Sequence, residues 1–158
     1  MFTTNSGRFI SYHGREHTLD IQRQDRNTST ISTIDQLFNV LLNVWCKETA
    51  YPSCQKDYDY DYDPTYGQCA ITATLVYDLF GGTIHKLKVD GGGTHYFNKI
   101  NGHYIDLTSD QFDLYDIPLE YVPNEVVPRE YCGKNADTNR RYQLLVNFVD
   151  KWILEHKN

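Results

Sequence analysis

Residues 68 to 80 are apolar on almost every side, and this constrains the fold more than anything else in the chain. Ala70, Ile71, Ala73, Leu75, Val76, Leu79 and Phe80 leave no broad polar face, so a helix here has to be enclosed by other elements. Gly81-Gly82 ends it. Residues 83 to 89 then read as a strand, followed by Asp90-Gly91-Gly92-Gly93. Strands over 94–100 and 103–108 flank Asn101-Gly102, a pair that strongly favours a two-residue hairpin turn.

Helices are expected on either side of this unit. Ser32 or Thr33 caps the first, whose apolar residues Ile34, Leu37, Phe38, Leu41 and Trp45 fall on one face and which ends near Lys47-Glu48-Thr49. Asp137 or Thr138 caps the last, with Leu145, Phe148, Val149, Trp152 and Ile153 as its face. Residues 1–30 form a polar arm or short irregular hairpin, partly disordered, anchored by Phe9, Ile10, Tyr12, Leu19 and Ile21. Past Phe112 the chain reads as loop, with prolines at 118, 123 and 128. The expected organisation is this arm and then one α+β domain over 31–158, with a buried helix on an antiparallel sheet.

Asp57-Tyr58-Asp59-Tyr60-Asp61-Tyr62-Asp63 alternates without a break. As a strand it puts four carboxylates on one side and three phenols on the other, a pattern that suits calcium or a cationic ligand. The favoured expectation is a mobile, solvated acidic loop, because like charges repel and no Gly or Glu sits where a calcium loop needs one.

At 158 residues the chain is large enough for a core without metal or disulfide staples. A net charge of -6 argues against nucleic-acid binding. No stretch reaches the roughly 18 to 20 apolar residues of a membrane helix, and the first residues lack a signal-peptide pattern. A cytoplasmic protein with no membrane partner is expected. Cys46, Cys54, Cys69 and Cys132 contain no Cys-x-x-Cys pair, which argues against structural zinc, and reduced thiols are expected.

Cys69 falls in the first turn of the buried helix, where free N–H groups and the helix dipole favour a thiolate. A two-residue turn at Asn101-Gly102 pairs Ile100 with His103 and Phe97 with Asp106. His95, Phe97, Tyr104, Asp106 and Thr108 then share a face, with His95 and Asp106 as diagonal neighbours. His103 and Asn98 fall on the opposite face, with structural roles. If the face bearing His95 packs on the helix, a nucleophile, a base and an orienting acid converge. Gly91, Gly92 and Gly93 leave the approach to His95 open, and Gly93, Thr94 and Phe97 are the expected substrate-binding residues.

The segments Trp45, Lys47-Glu48-Thr49, Tyr51-Pro52, Gly67-Gln68-Cys69-Ala70, Thr72-Ala73, Phe80-Gly81-Gly82, His95-Tyr96-Phe97-Asn98, Asp106-Leu107-Thr108 and Gln111-Phe112 resemble the YunG family of bacterial proteins. The resemblance covers roughly residues 40–115, with Arg141-Tyr142 in the last helix, and Phe97 stands where the pattern has tryptophan. More distantly, Cys69, His95 and Asp106 look like the triad of the papain-like and transglutaminase-like superfamily. That likeness implies a cysteine-bearing helix on an antiparallel sheet, and a cysteine peptidase, amidase or acyltransferase.

The resulting expectation is a hydrolase or acyltransferase acting on an amide, ester or thioester of a protein, peptide or small molecule. It uses no cofactor, and the Cys69 N–H, with the Gln68 side chain, holds the oxyanion. Two readings compete with it. One is a non-catalytic binding protein that offers an acidic, tyrosine-rich surface to a basic partner. The other is a metal protein with Cys69, His95 and Asp106 as ligands.

Overall fold

The computed structural model describes residues 1–23, 31–90 and 93–156. The chain is α+β. Helix α1 (Ile34–Val44) starts at Thr33, whose hydroxyl accepts from the Gln36 N–H while the Gln36 side chain accepts from the Thr33 N–H. This reciprocal capping box settles the choice between Ser32 and Thr33. Replacing Thr33 with alanine is expected to lower unfolding stability by about 1 kcal/mol, measurable by urea denaturation. The helix stops at Val44, earlier than expected, and a short 3-10 turn occupies Lys47–Thr49.

Helix α2 (Cys69–Phe80) is the enclosed element foreseen from its composition, with Ile71, Val76 and Phe80 almost fully buried. Trp45 donates its indole N–H to the Thr72 hydroxyl at 3.0 Å, which satisfies a buried polar pair between α1 and α2. Four antiparallel strands follow the order β5-β4-β3-β6, formed by β3 (Thr83–Lys88), β4 (Thr94–Ile100), β5 (His103–Ile105) and β6 (Glu125–Val127). The hairpin register pairs Ile100 with His103 and Asn98 with Ile105, as the Asn-Gly turn requires. A Cβ at Gly82 would lie 2.3 Å from the Lys99 carbonyl oxygen, so the turn out of α2 needs a residue without a side chain.

Which face of the sheet meets α2 differs from expectation. Asn98 donates its amide to the Ala73 carbonyl at 2.9 Å, and Ile100 and Ile105 join the main core with α1 and α2. Strand alternation therefore turns His95 and Phe97 to the opposite face. There their rings pack with Tyr104, Phe112 and Tyr121.

Beyond Phe112 the chain is not all loop. It contains a fourth strand, β6, and the helix α4 (Arg129–Lys134), and the short helix α3 (Asp110–Asp113) begins just before it. The last helix, α5 (Ala136–Glu155), is capped by Asn135, which accepts from the Thr138 N–H, instead of by Asp137 or Thr138. The N-terminal arm pairs β1 (Phe2–Thr3) with β2 (Phe9–Ile10). Its Ile10, Tyr12 and Ile21 join the main core as expected, whereas Phe9 and Leu19, the other expected anchors, are exposed; residues 24–30 lie outside the described residues.

The Asp-Tyr repeat is neither a strand nor a uniformly solvated loop. Tyr58 and Tyr60 donate their hydroxyls to the Pro64 and Leu42 carbonyls, and Asp63 is buried. Burial pushes the Asp63 carboxyl up to about 6, against the hydrogen bond it accepts from Tyr115. Among the described residues no helix is long and apolar enough to cross a membrane.

Candidate active site

Cys69 opens α2, and Gln68 stands at the N-cap without making a capping bond through its side chain. The thiol is partly exposed and lies 3.9 Å from the carbonyl oxygen of Thr94, the first residue of β4. The start of the helix and the start of the strand therefore meet end to end. This brings His95 to Cys69 although its strand face looks away from the helix.

His95 is 1% exposed and Asp106 is 1% exposed, and His95 Nε2 meets Asp106 Oδ2 at 2.6 Å. Nδ1 of the same ring is buried and makes no hydrogen bond of normal geometry, which leaves it as the nitrogen available to Cys69. Burial opposes charging of the ring. The charge and hydrogen bond of Asp106, with a further contribution from the Cys69 sulfur, outweigh that and push His95 up to about 10.

Asp106 is itself held from several sides. Its Oδ1 accepts from the Thr108 N–H at 3.1 Å and from the Thr108 hydroxyl at 3.3 Å. Its Oδ2 also accepts from the Tyr121 hydroxyl at 2.8 Å. Burial and the Asp106 charge push the Tyr121 phenol well above its usual range, so it remains a protonated donor. The arm contributes as well, because the Asp106 N–H donates to the His13 carbonyl at 3.1 Å and the His13 ring packs on Tyr121.

Nothing in the sequence singles out Tyr121. It lies 15 residues past Asp106, beyond Pro118, and no periodic or turn signal points to it. Replacing Tyr121 with phenylalanine is expected to cost about 1.5–3 kcal/mol, since it strips a hydrogen bond from a buried charge. Urea denaturation of the variant checks this, and a change below about 0.5 kcal/mol contradicts it.

The other expected site residues divide. Gly93 and Thr94 line a cleft of about 830 Å³ together with Cys69 and His95. Gly93 has a φ of +98° and open space around it; Gly91 and Gly92 lie outside the described residues. Gln68 and Phe97 do not line this cleft. The Gln68 side chain is fully buried, accepting from the Thr49 hydroxyl and donating to the Cys46 carbonyl, both at 2.9 Å. Its amide is engaged behind the site, which removes it as an oxyanion donor. Phe97 is 1% exposed, behind His95 and against Tyr121, so it supports the imidazole and does not reach the cleft.

The reading of Cys69, His95 and Asp106 as metal ligands does not fit this geometry. His95 and Asp106 touch directly, and among the described residues no group of three or more His, Cys, Asp or Glu side chains could hold a metal ion. All four cysteines are free thiols.

An α+β domain with a cysteine at the head of an enclosed helix, beside a buried histidine–aspartate pair, defines the class. The chain belongs to the YunG protein family, whose pattern matches residues 33–153. It is 48% identical over 83 residues to the uncharacterised protein YunG of Bacillus subtilis (strain 168). That match takes in 52% of this chain and 66% of the relative, just under two thirds of its length. No solved structure gives a significant match. The arm that supplies His13 precedes the span matched to the family.

Proposed function

We propose that the protein is a cysteine-dependent hydrolase or acyltransferase that acts on an amide, ester or thioester. The carrying observation is a partly exposed thiol at an uncapped helix start, beside a buried imidazole whose far nitrogen is fixed by a carboxylate. Cys69, on a helix before the sheet, then His95 on β4, then Asp106 just after β5 is also the order found in the papain-like and transglutaminase-like superfamily. The direct His95–Asp106 contact supports that reading.

In the mechanism, the Cys69 thiolate attacks the acyl carbonyl, and the carbonyl π electrons move to oxygen. In this reading the first-turn N–H of α2 at Cys69 receives that oxyanion; losing such a donor typically costs about 2.7–4 kcal/mol of barrier. Collapse expels the amine, alcohol or thiol, which takes its proton from His95, and leaves a thioester on Cys69. Neutral His95 then removes a proton from water, or from an acceptor amine, as it attacks the thioester; collapse breaks the C–S bond, releases the acyl product and restores the Cys69 thiolate beside protonated His95. Asp106 keeps the ring in one orientation and balances the imidazolium charge whenever the ring is protonated.

The test uses p-nitrophenyl acetate and rapid acid quenching, followed by mass spectrometry. The expected result is a burst of nitrophenolate and an acetyl group on the peptide that carries Cys69. Absence of an acyl adduct, or its appearance on Cys46, Cys54 or Cys132 instead, refutes the proposal.

A further inference from the structure

Acidic residues outnumber basic ones by 21 to 15 in this chain, yet no Asp or Glu lines the cleft over Cys69 among the described residues. Its fixed charges are Lys134, at the end of α4, and Arg141, on α5. Arg141 is 1% exposed. It donates from Nε to Asp137 at 2.8 Å, from Nη1 to the Thr49 carbonyl at 3.1 Å and from Nη2 to the Thr138 hydroxyl at 3.4 Å. A guanidinium has five N–H groups, so one on each Nη is left without a protein acceptor among the described residues.

Asp137 does not cancel this charge, because the same carboxylate also pairs with Arg140 at 2.9 Å. Lys134 makes no ion pair among the described residues. The N-terminus of α2, at Cys69, opens on the same space. Among the described residues the fixed charges lining the cleft, Lys134 and Arg141, are both cationic although the protein has a net charge of -6, an arrangement that suits a negative group.

We infer that the substrate is an anionic acyl compound whose carboxylate is held by Arg141 and Lys134 while its acyl carbon lies at Cys69. The acyl part rests on the cysteine-hydrolase reading; the anion preference does not. Such a substrate is the opposite of the basic partner that an acidic, tyrosine-rich surface would favour. Arg141 suits the role because two parallel N–H groups match the two oxygens of a carboxylate.

The experiment compares two small alkylating reagents of nearly the same shape, neutral iodoacetamide and anionic iodoacetate. Each forms an S–CH2 bond with the thiolate as iodide leaves, and mass spectrometry assigns the rate to Cys69. The iodoacetate to iodoacetamide rate ratio is referred to that of 2-mercaptoethanol, at low salt and at pH 6.5 and 8.5. At the higher pH an ordinary thiol also alkylates, so the ratio is readable whether or not Cys69 is activated.

The expected ratio is about tenfold or more above the reference, a factor worth 1.4 kcal/mol at the thiol. It should fall several-fold in Lys134→Gln and in Arg141→Gln. It should also fall as sodium chloride shortens the screening length from about 30 to about 3 Å. If Arg141→Gln does not fold, Lys134→Gln and the salt series decide. A ratio equal to the reference, or a raised ratio that neither substitution nor salt changes, overturns the carboxylate site. Slow labelling by both reagents at pH 6.5 with a raised ratio at pH 8.5 would overturn the activated thiol and leave the anion site standing.

Discussion

Cys69→Ala is expected to remain folded and to lose all iodoacetamide labelling of the α2 N-terminus at pH 6.5, whereas the unaltered protein labels there. The contrast is large because a free thiol with pKa near 8.5 is only about 1% ionised at that pH. In the proposed mechanism protonated His95 is the counter-charge of the nucleophile. Since Cys69 is partly exposed at a helix end, losing its sulfur leaves little cavity. His95→Asn separates thiol from activation. It keeps the nucleophile but removes the cation, and labelling should retreat to the alkaline range. Labelling of the unaltered protein only near pH 8.5, or unchanged labelling in His95→Asn, would refute an activated nucleophile.

Asp106→Asn should produce the largest stability loss among site variants, about 3–5 kcal/mol, because it leaves one member of a buried charge pair without its counter-charge. Tyr121 and Thr108 also lose part of the acceptor they share. The pH dependence carries the sign. His95 is raised from an ordinary value near 6.5 to about 10, so the folded state binds the proton more tightly than the unfolded chain. The resulting stabilisation is fully present below about pH 6.5 and is lost as pH rises toward 10. Urea denaturation at pH 6, 8 and 9.5 should show that decline in the unaltered protein and a flatter profile in Asp106→Asn. Parallel profiles would mean that the imidazolium–carboxylate pair does not form.

Much of the site geometry is readable from local rules. The Asn-Gly turn fixes the register of Asn98–Ile100 against His103–Ile105; the strand stops at Ile105, short of the expected 108, and Asp106, bridged to His13 just beyond it, still meets His95 at 2.6 Å. The capping box at Thr33 follows from Thr33 and Gln36 three residues apart. What local rules do not carry is the direction of packing. Helix α2 covers the other face of the sheet, and Cys69 reaches His95 because two element ends coincide at Thr94. Gln68 adjoins the thiol in sequence yet points into the core, toward Cys46 and Thr49.

By itself, the order of residues determined the enclosed helix, the hairpin with its register, the capped α1 and the types of group available for chemistry. Those depend on periodicity and turn preference within a few residues. Only the tertiary structure decided which sheet face α2 covers, that Tyr121 and the backbone at His13 and Thr108 secure Asp106, and that a cleft lined, among the described residues, by no carboxylate opens over Cys69. These features come from contacts between segments far apart in the chain, where burial and the pairing of polar groups, not local preference, set the geometry.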